Sequence, residues 1–154
     1  VLRAEGGSGP GVVTVVALVP AYGQAGRWQD QLRLAAGILH GTDSLPASEA
    51  NHSVLYTEMG RARLAMGNWA DGEASLERAI AISRQEGNRL RHIRAALTLA
   101  RHLRLKGEDG RAARLLEEAL ALLPPDSGSP DRAVARCLLA RIPTNQPNPG
   151  LPCG

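Results

Sequence analysis

Residues 89–124 read RLRHIRAALTLARHLRLKGEDGRAARLLEEALALLP, and their apolar spacing decides the fold. Ile93, Ala96, Leu99, Ala100 and Leu103 recur at three- and four-residue steps, which lines them up along one stripe of an α-helix. Gly107 interrupts the pattern and supplies a left-handed stop. Ala112, Leu115, Leu116, Ala119 and Leu122 then resume the same period. Pro124 and Pro125 end it, because proline has no N–H for the next turn. The stretch therefore predicts two helices, about 89–106 and 110–123, folded back on one another across a glycine turn.

The same plan occurs twice upstream. Gly26-Arg27-Trp28, Gly67-Asn68-Trp69 and Gly107-Glu108-Asp109 stand 67 − 26 = 41 and 107 − 67 = 40 residues apart, each between apolar-periodic runs. A fixed period of this size signals a stack of repeated helical units. The second unit predicts a helix over about 47–66, with Leu55, Met59, Ala62 and Met66 in phase. A second helix over about 69–86 carries Ala70, Ala74, Leu76, Ala79, Ile80 and Ile82, and Gly87 ends it. Asn68 is expected to cap this helix through its side-chain oxygen. The first unit predicts helices over about 12–24 and 28–40. Its leading segment is almost wholly apolar or β-branched and contains Pro20, expected to kink it. A strand over 12–19 competes on propensity; a helix is preferred because its phase matches the later units.

Ser129-Pro130-Asp131 combines a cap residue, a first-turn proline and an acidic first turn. It opens a last helix, about 130–142, with Val134, Cys137, Leu138 and Ile142 on its apolar side. This helix has no partner and is expected to cover the open end of the stack. Residues 1–11 are expected to be a flexible leader, 12–142 the repeat domain, and 143–154 a disordered tail rich in Pro, Asn and Gly.

Composition supports an all-α core. The 154 residues are 44% hydrophobic and 21% charged, with two Trp, two Tyr and no Phe. Leu, Ala, Ile and Val must fill the interior, and Leu and Ala are strong helix formers. The net charge of +3 is a mild basic bias carried almost entirely by arginine, so an RNA-contacting repeat is a minority reading. Two cysteines make no disulfide framework: Cys137 reads as a small core residue and Cys153 lies in the tail, so a cytoplasmic setting is expected. Arg3 followed by the apolar run of residues 11–19 has the outline of a secretory signal, weakened by Glu5 and the glycines before it, and the run is too short to cross a membrane. The chain begins with Val, which suggests a piece of a larger protein.

No catalytic motif occurs. The sequence has no phosphate loop ending in Lys-Ser or Lys-Thr, no Gly-x-Ser-x-Gly elbow and no HExxH, and no cofactor is implied. Glu117 and Glu118 are adjacent and diverge on a helix, so they make a poor acid–base pair; Glu118 is expected to pair with Arg114 one turn earlier. His92 and His102 are ten residues apart, unsuited to holding one metal, and are expected to be surface or partly packed. His40 and His52 belong to no motif.

The pattern resembles the tetratricopeptide repeat, whose first helix carries large apolar residues and a Leu-Gly, and whose second carries Ala, a bulky residue, Ala and Pro. In the third unit the matching residues are Ala96, Leu99, Ala100 and Leu103, then Ala112, Leu116, Ala119 and Pro124. The second unit has Tyr56, Met59, Gly60 and Arg63, then Gly72, Leu76 and Ala79. The first has Val15, Leu18, Val19 and Tyr22, then Gln31, Ala35 and Ile38. Arg63 and Asp109 stand where the family usually has an aromatic, and Gln31 where it has Ala. The longer period, with Arg111-Ala-Ala-Arg-Leu-Leu-Glu-Glu-Ala-Leu, also resembles the helical repeats of large bacterial ATP-binding transcription regulators.

The resemblance implies a right-handed superhelix of antiparallel helix pairs, an α-solenoid of about three pairs plus a capping helix. It implies a binding module rather than an enzyme, with a concave groove lined by the first helix of each pair. Carried onto this sequence, the groove residues are Val54, Thr57, Arg61 and Leu64 of the second unit and Arg94, Leu97, Arg101 and Arg104 of the third. Val13, Val16 and Pro20 stand at the matching places of the first. Helical spacing independently sets Arg94, Leu97, Arg101 and Arg104 apart from the Leu99/Leu103 stripe. Such a groove, apolar at one end and basic at the other, suits a peptide with hydrophobic anchors and acidic groups; a plain solvated helix face is the competing reading. The alternative role is a sensor or regulatory fragment of a bacterial transcription or signalling regulator. A homodimer through the apolar N-terminal face is a further expectation.

Overall fold

The computed structural model describes residues 10–41, 51–125 and 128–143, with side chains from Val16 onward. Seven helices occupy these residues: α1 (Pro10–Gln24), α2 (Trp28–His40), α3 (His52–Ala65), α4 (Trp69–Gln85), α5 (Arg89–Leu105), α6 (Asp109–Ala121) and α7 (Pro130–Ala140). The first segment is helical, with Pro20 inside it, so the competing strand is not formed. Helix α3 starts at His52, later than the expected 47; residues 42–50 lie outside the described residues, as do most of the expected leader and tail.

One turn design joins the helices. In each of four turns the third residue past the helix donates its N–H to a carbonyl five residues back: Arg27 to Tyr22 (2.8 Å), Asn68 to Arg63 (2.9 Å), Asn88 to Ser83 (2.8 Å) and Glu108 to Leu103 (2.9 Å). That closure needs a left-handed residue in between. Gly26, Gly67, Gly87 and Gly107 supply it, with φ between 65 and 81°. The side-chain cap expected of Asn68 is not made, nor does Ser129 make one. Asn88 does cap, accepting the Arg91 N–H at 3.1 Å. Helices α2, α4 and α6 follow the shared turn without a side-chain cap.

Each helix packs on its successor, and α1, α3, α5 and α7 also touch in sequence. The odd-numbered helices therefore form one side of the stack, with the even ones behind them. Helix α7 stands where the first helix of a fourth pair would stand, against both α5 and α6.

Packing is tightest between α3 and α4. A Cβ added at Gly60 would lie 2.6 Å from Leu76 Cγ and 3.1 Å from the Gly72 carbonyl; one added at Gly72 would lie 2.5 Å from Leu64 Cδ2. Two hydrogen side chains thus let the backbones close while a leucine of each helix fills the space beside the other's glycine. The apolar core falls into two clusters. Val19, Ala35, Ile38, Leu55 and Met59 form the N-terminal one. The larger C-terminal one is built around Leu76, Ile93, Leu103 and Leu116, and extends to Ala135 and Ile142. Fully burying each such side chain contributes roughly 1.5–3 kcal/mol.

Polar residues also bridge neighbouring helices. Gln31, 0% exposed, stands where the repeat pattern has alanine and donates from Nε2 to Glu58 at 2.5 Å. Glu58, 7% exposed, also accepts from Arg61 at 3.2 and 3.3 Å. Arg63, at an expected aromatic position, bonds Ser75 Oγ across the α3–α4 pair at 2.5 Å.

Three expectations need correction. His92 and His102 are both buried, because their helix is enclosed by α4, α6 and α7 on most of its surface. Glu118 pairs with Arg84 of α4 at 3.3 Å rather than with Arg114, since α4 lies alongside α6's outer side. Cys137 is half-buried and disulfide-bonded, so it is not a plain core thiol; the other cysteine, Cys153, lies outside the described residues. No helix among the described residues is long and apolar enough to cross a membrane.

Candidate peptide-binding groove

The odd-numbered helices enclose a groove of about 840 Å³. Its floor comes from α3 and α5, its N-terminal end from Pro20 of α1, and its C-terminal wall from Asp131 and Val134 of α7. Of the residues named from sequence, Val54, Thr57, Arg61, Leu64, Arg94, Leu97 and Arg101 line it. Arg104 does not. It turns towards the end of the stack, where its guanidinium lies 3.5 Å from Asp109 and donates to the Arg141 carbonyl at 3.4 Å. Val16 packs into the N-terminal core cluster instead of lining the groove. The Val13 side chain is outside the described residues.

Sequence reasoning overlooked several lining residues. Glu58 and Asp131 bring negative charge to a wall expected to be basic, while Trp69, His102 and Leu105 form its edge at the helix turns. Leu105 carried a signal: it is a leucine four residues past Arg101, on the cationic side of α5 and off the core stripe. Asp131 carried none, since only the tertiary course of α7 brings it to Arg94.

Five cations, Arg61, Arg91, Arg94, Arg101 and Lys106, face two carboxylates, Glu58 and Asp131. Most of the cations are already engaged. Arg61 holds Glu58, Arg91 lies 3.6 Å from Glu86, and Arg94 Nε donates to Asp131 at 2.8 Å. Lys106 bridges Glu73 at 2.7 Å and Glu108 at 2.8 Å. Those bonds raise the Lys106 pKa, Glu108 contributing most. Glu73 is held below the usual carboxylate range chiefly by the Lys106 hydrogen bond, with burial opposing it. His102 Nε2 lies 3.2 Å from the same Glu73 oxygen, and its ring meets Trp69 edge-on at 6.1 Å. Arg101 makes no ion pair or hydrogen bond among the described residues.

No group of three or more metal-binding side chains occurs among the described residues. The pairs present are charge-neutralising, and none aligns a nucleophile with a base.

A family model for the tetratricopeptide repeat matches residues 51–124, the span of α3 to α6. Residues 51–124 are thus similar to the tetratricopeptide repeat. Solved structures carry the likeness further along the chain. The nearly identical tetratricopeptide-like repeats assigned to a Podosopora anserina kinesin light chain match at 25% identity and a TM-score of 0.62, over 92% of this chain and 68% of that one. A single-substitution variant of the same protein matches at 24% identity and a TM-score of 0.65. There the alignment covers 85% of this chain and 64% of its neighbour, so this chain spans about two thirds of that structure. No curated protein matches by sequence. The tetratricopeptide-repeat assignment accounts for the glycine crossing of α3 and α4 and for the all-α solenoid. Tetratricopeptide repeats are non-catalytic scaffolds widely used for protein interactions.

Proposed function

We infer that this chain binds a peptide segment of a partner protein in the groove between its odd-numbered helices, and that the segment combines acidic and apolar residues. The observation that carries this reading is the lining itself: apolar floor residues such as Val54, Leu64 and Leu97 lie beside a surplus of cations. Guanidinium groups bind carboxylates through paired hydrogen bonds, and an apolar floor rewards burial of a hydrophobic anchor. Arg94, Arg101, Arg61 and Thr57 are the contact residues proposed for it, with Arg104 removed from the set.

A random peptide display library selected on the immobilised chain tests this. Enrichment of peptides holding both acidic and large apolar residues is expected. A Thr57→Arg variant, which fills the groove floor without touching the core clusters, should lose them while keeping its helical circular dichroism. Equal capture by the folded Thr57→Arg chain would exclude the groove.

A further inference from the structure

The rim of the groove at the helix turns is unlike its floor. Trp69, which opens α4, is 57% exposed, and Leu105, which ends α5, is 88% exposed. Both line the groove. Trp69 is held in place by its edge-on contact with His102, whose other neighbour is Glu73. Leu105 lies one turn beyond Arg101 on the same side of α5. The rim therefore sets two large exposed apolar side chains beside Arg101, the groove cation without an ion pair or hydrogen bond among the described residues. Exposing that much apolar surface in one place is costly unless something covers it.

We propose that Trp69, Leu105 and Arg101 form a recognition site for an extended peptide carrying a large apolar residue and a carboxylate two positions apart. This rests on the groove reading and specifies where the ligand's anchor sits. Residues one helical turn apart have Cβ atoms about 5–6 Å from each other. Alternate residues of an extended chain are about 6.6 Å apart and point the same way. An apolar side chain on the Trp69–Leu105 shelf thus places the side chain two residues along over Arg101. The carboxylate is read by Arg101 because the other cations would first have to give up a bond: Arg61 to Glu58, Arg94 to Asp131, and Lys106 to Glu73 and Glu108.

Fluorescence anisotropy with labelled seven-residue peptides checks this on the full chain. The probe is Gly-Ser-Leu-Ser-Asp-Ser-Gly, compared with versions in which Leu becomes Ser, Asp becomes Asn, or Leu and Asp are made adjacent. The parent peptide is expected to bind, and each altered peptide to bind at least tenfold more weakly. Leu105→Ser and Arg101→Gln, both at exposed positions and so neutral for folding, should each weaken the parent peptide at least tenfold. Unchanged affinity in either folded variant overturns the shelf while leaving the groove reading intact. So does failure of the parent peptide to bind a chain that still captures library-selected peptides lost on Thr57→Arg. If no library peptide is captured either, the groove reading falls and the shelf with it.

Discussion

A methyl group at position 60 would have to share space with Leu76, and this conflict decides the sign of a common substitution. Alanine in a helix interior is favoured over glycine by about 1 kcal/mol. The added carbon would lie 2.6 Å from the branched carbon of Leu76 and 3.1 Å from a backbone oxygen that cannot swing away. Overpacking of that kind costs about 1–3 kcal/mol. Gly60→Ala is therefore expected to lower stability in urea denaturation. Gly110→Ala, where nothing lies within 4 Å of the added carbon, should raise it by about 0.4–1 kcal/mol. His92 ties stability to pH. The residue is 1% exposed. Burial pushes its pKa down, with the Arg84 charge adding to this and Glu118 opposing it. The unfolded chain then takes up the proton first, near pH 6.5, so stability from neutral His92 is present above that pH and falls away as the pH drops below it. Denaturation at pH 8 and pH 5 should show the loss, and His92→Leu should shrink it.

The helices were largely legible because their signals are local. Apolar period and glycine stops mark α4, α5 and α6 to within a few residues, as the observed Trp69–Gln85, Arg89–Leu105 and Asp109–Ala121 attest. What was hidden depended on neighbours distant in sequence. Arg94 looked like a free groove cation until α7 brought Asp131 to within 2.8 Å of it, 37 residues along the chain. Arg104 has the same spacing on α5 as the lining residues, yet it turns to Asp109 and the Arg141 carbonyl. Helix α7 thus sets how much charge the groove offers. Asp131→Asn should release Arg94 and strengthen binding of acidic library-selected peptides several-fold, with a steeper dependence on salt. Stability should move by about 1 kcal/mol at most, because Arg94 is largely exposed and water screens the pair from that side.

Among the described residues the apolar core divides into two clusters. The N-terminal cluster is the smaller among these residues, and α1 gives it Val19 fully buried while Leu18 stays half-exposed. Stacked repeats hold together through intrinsic and neighbour terms that add along the array. Helices α1 and α2 are therefore expected to open at lower free energy than α4 to α6. Native-state hydrogen exchange should show α1 and α2 amides exchanging first as a group, with those of α5 last. Uniform protection along the stack would contradict this.

The Gln31–Glu58 bond also gives the array a fixed address system. Consensus repeats are interchangeable building blocks, but here the first unit carries a donor that only the second unit's carboxylate receives. Duplicating, deleting or shuffling these units would strand a buried carboxylate or a buried amide at the new boundary. The stack is thus a sentence with a set word order, able to lengthen at its ends while resisting insertion after its first word.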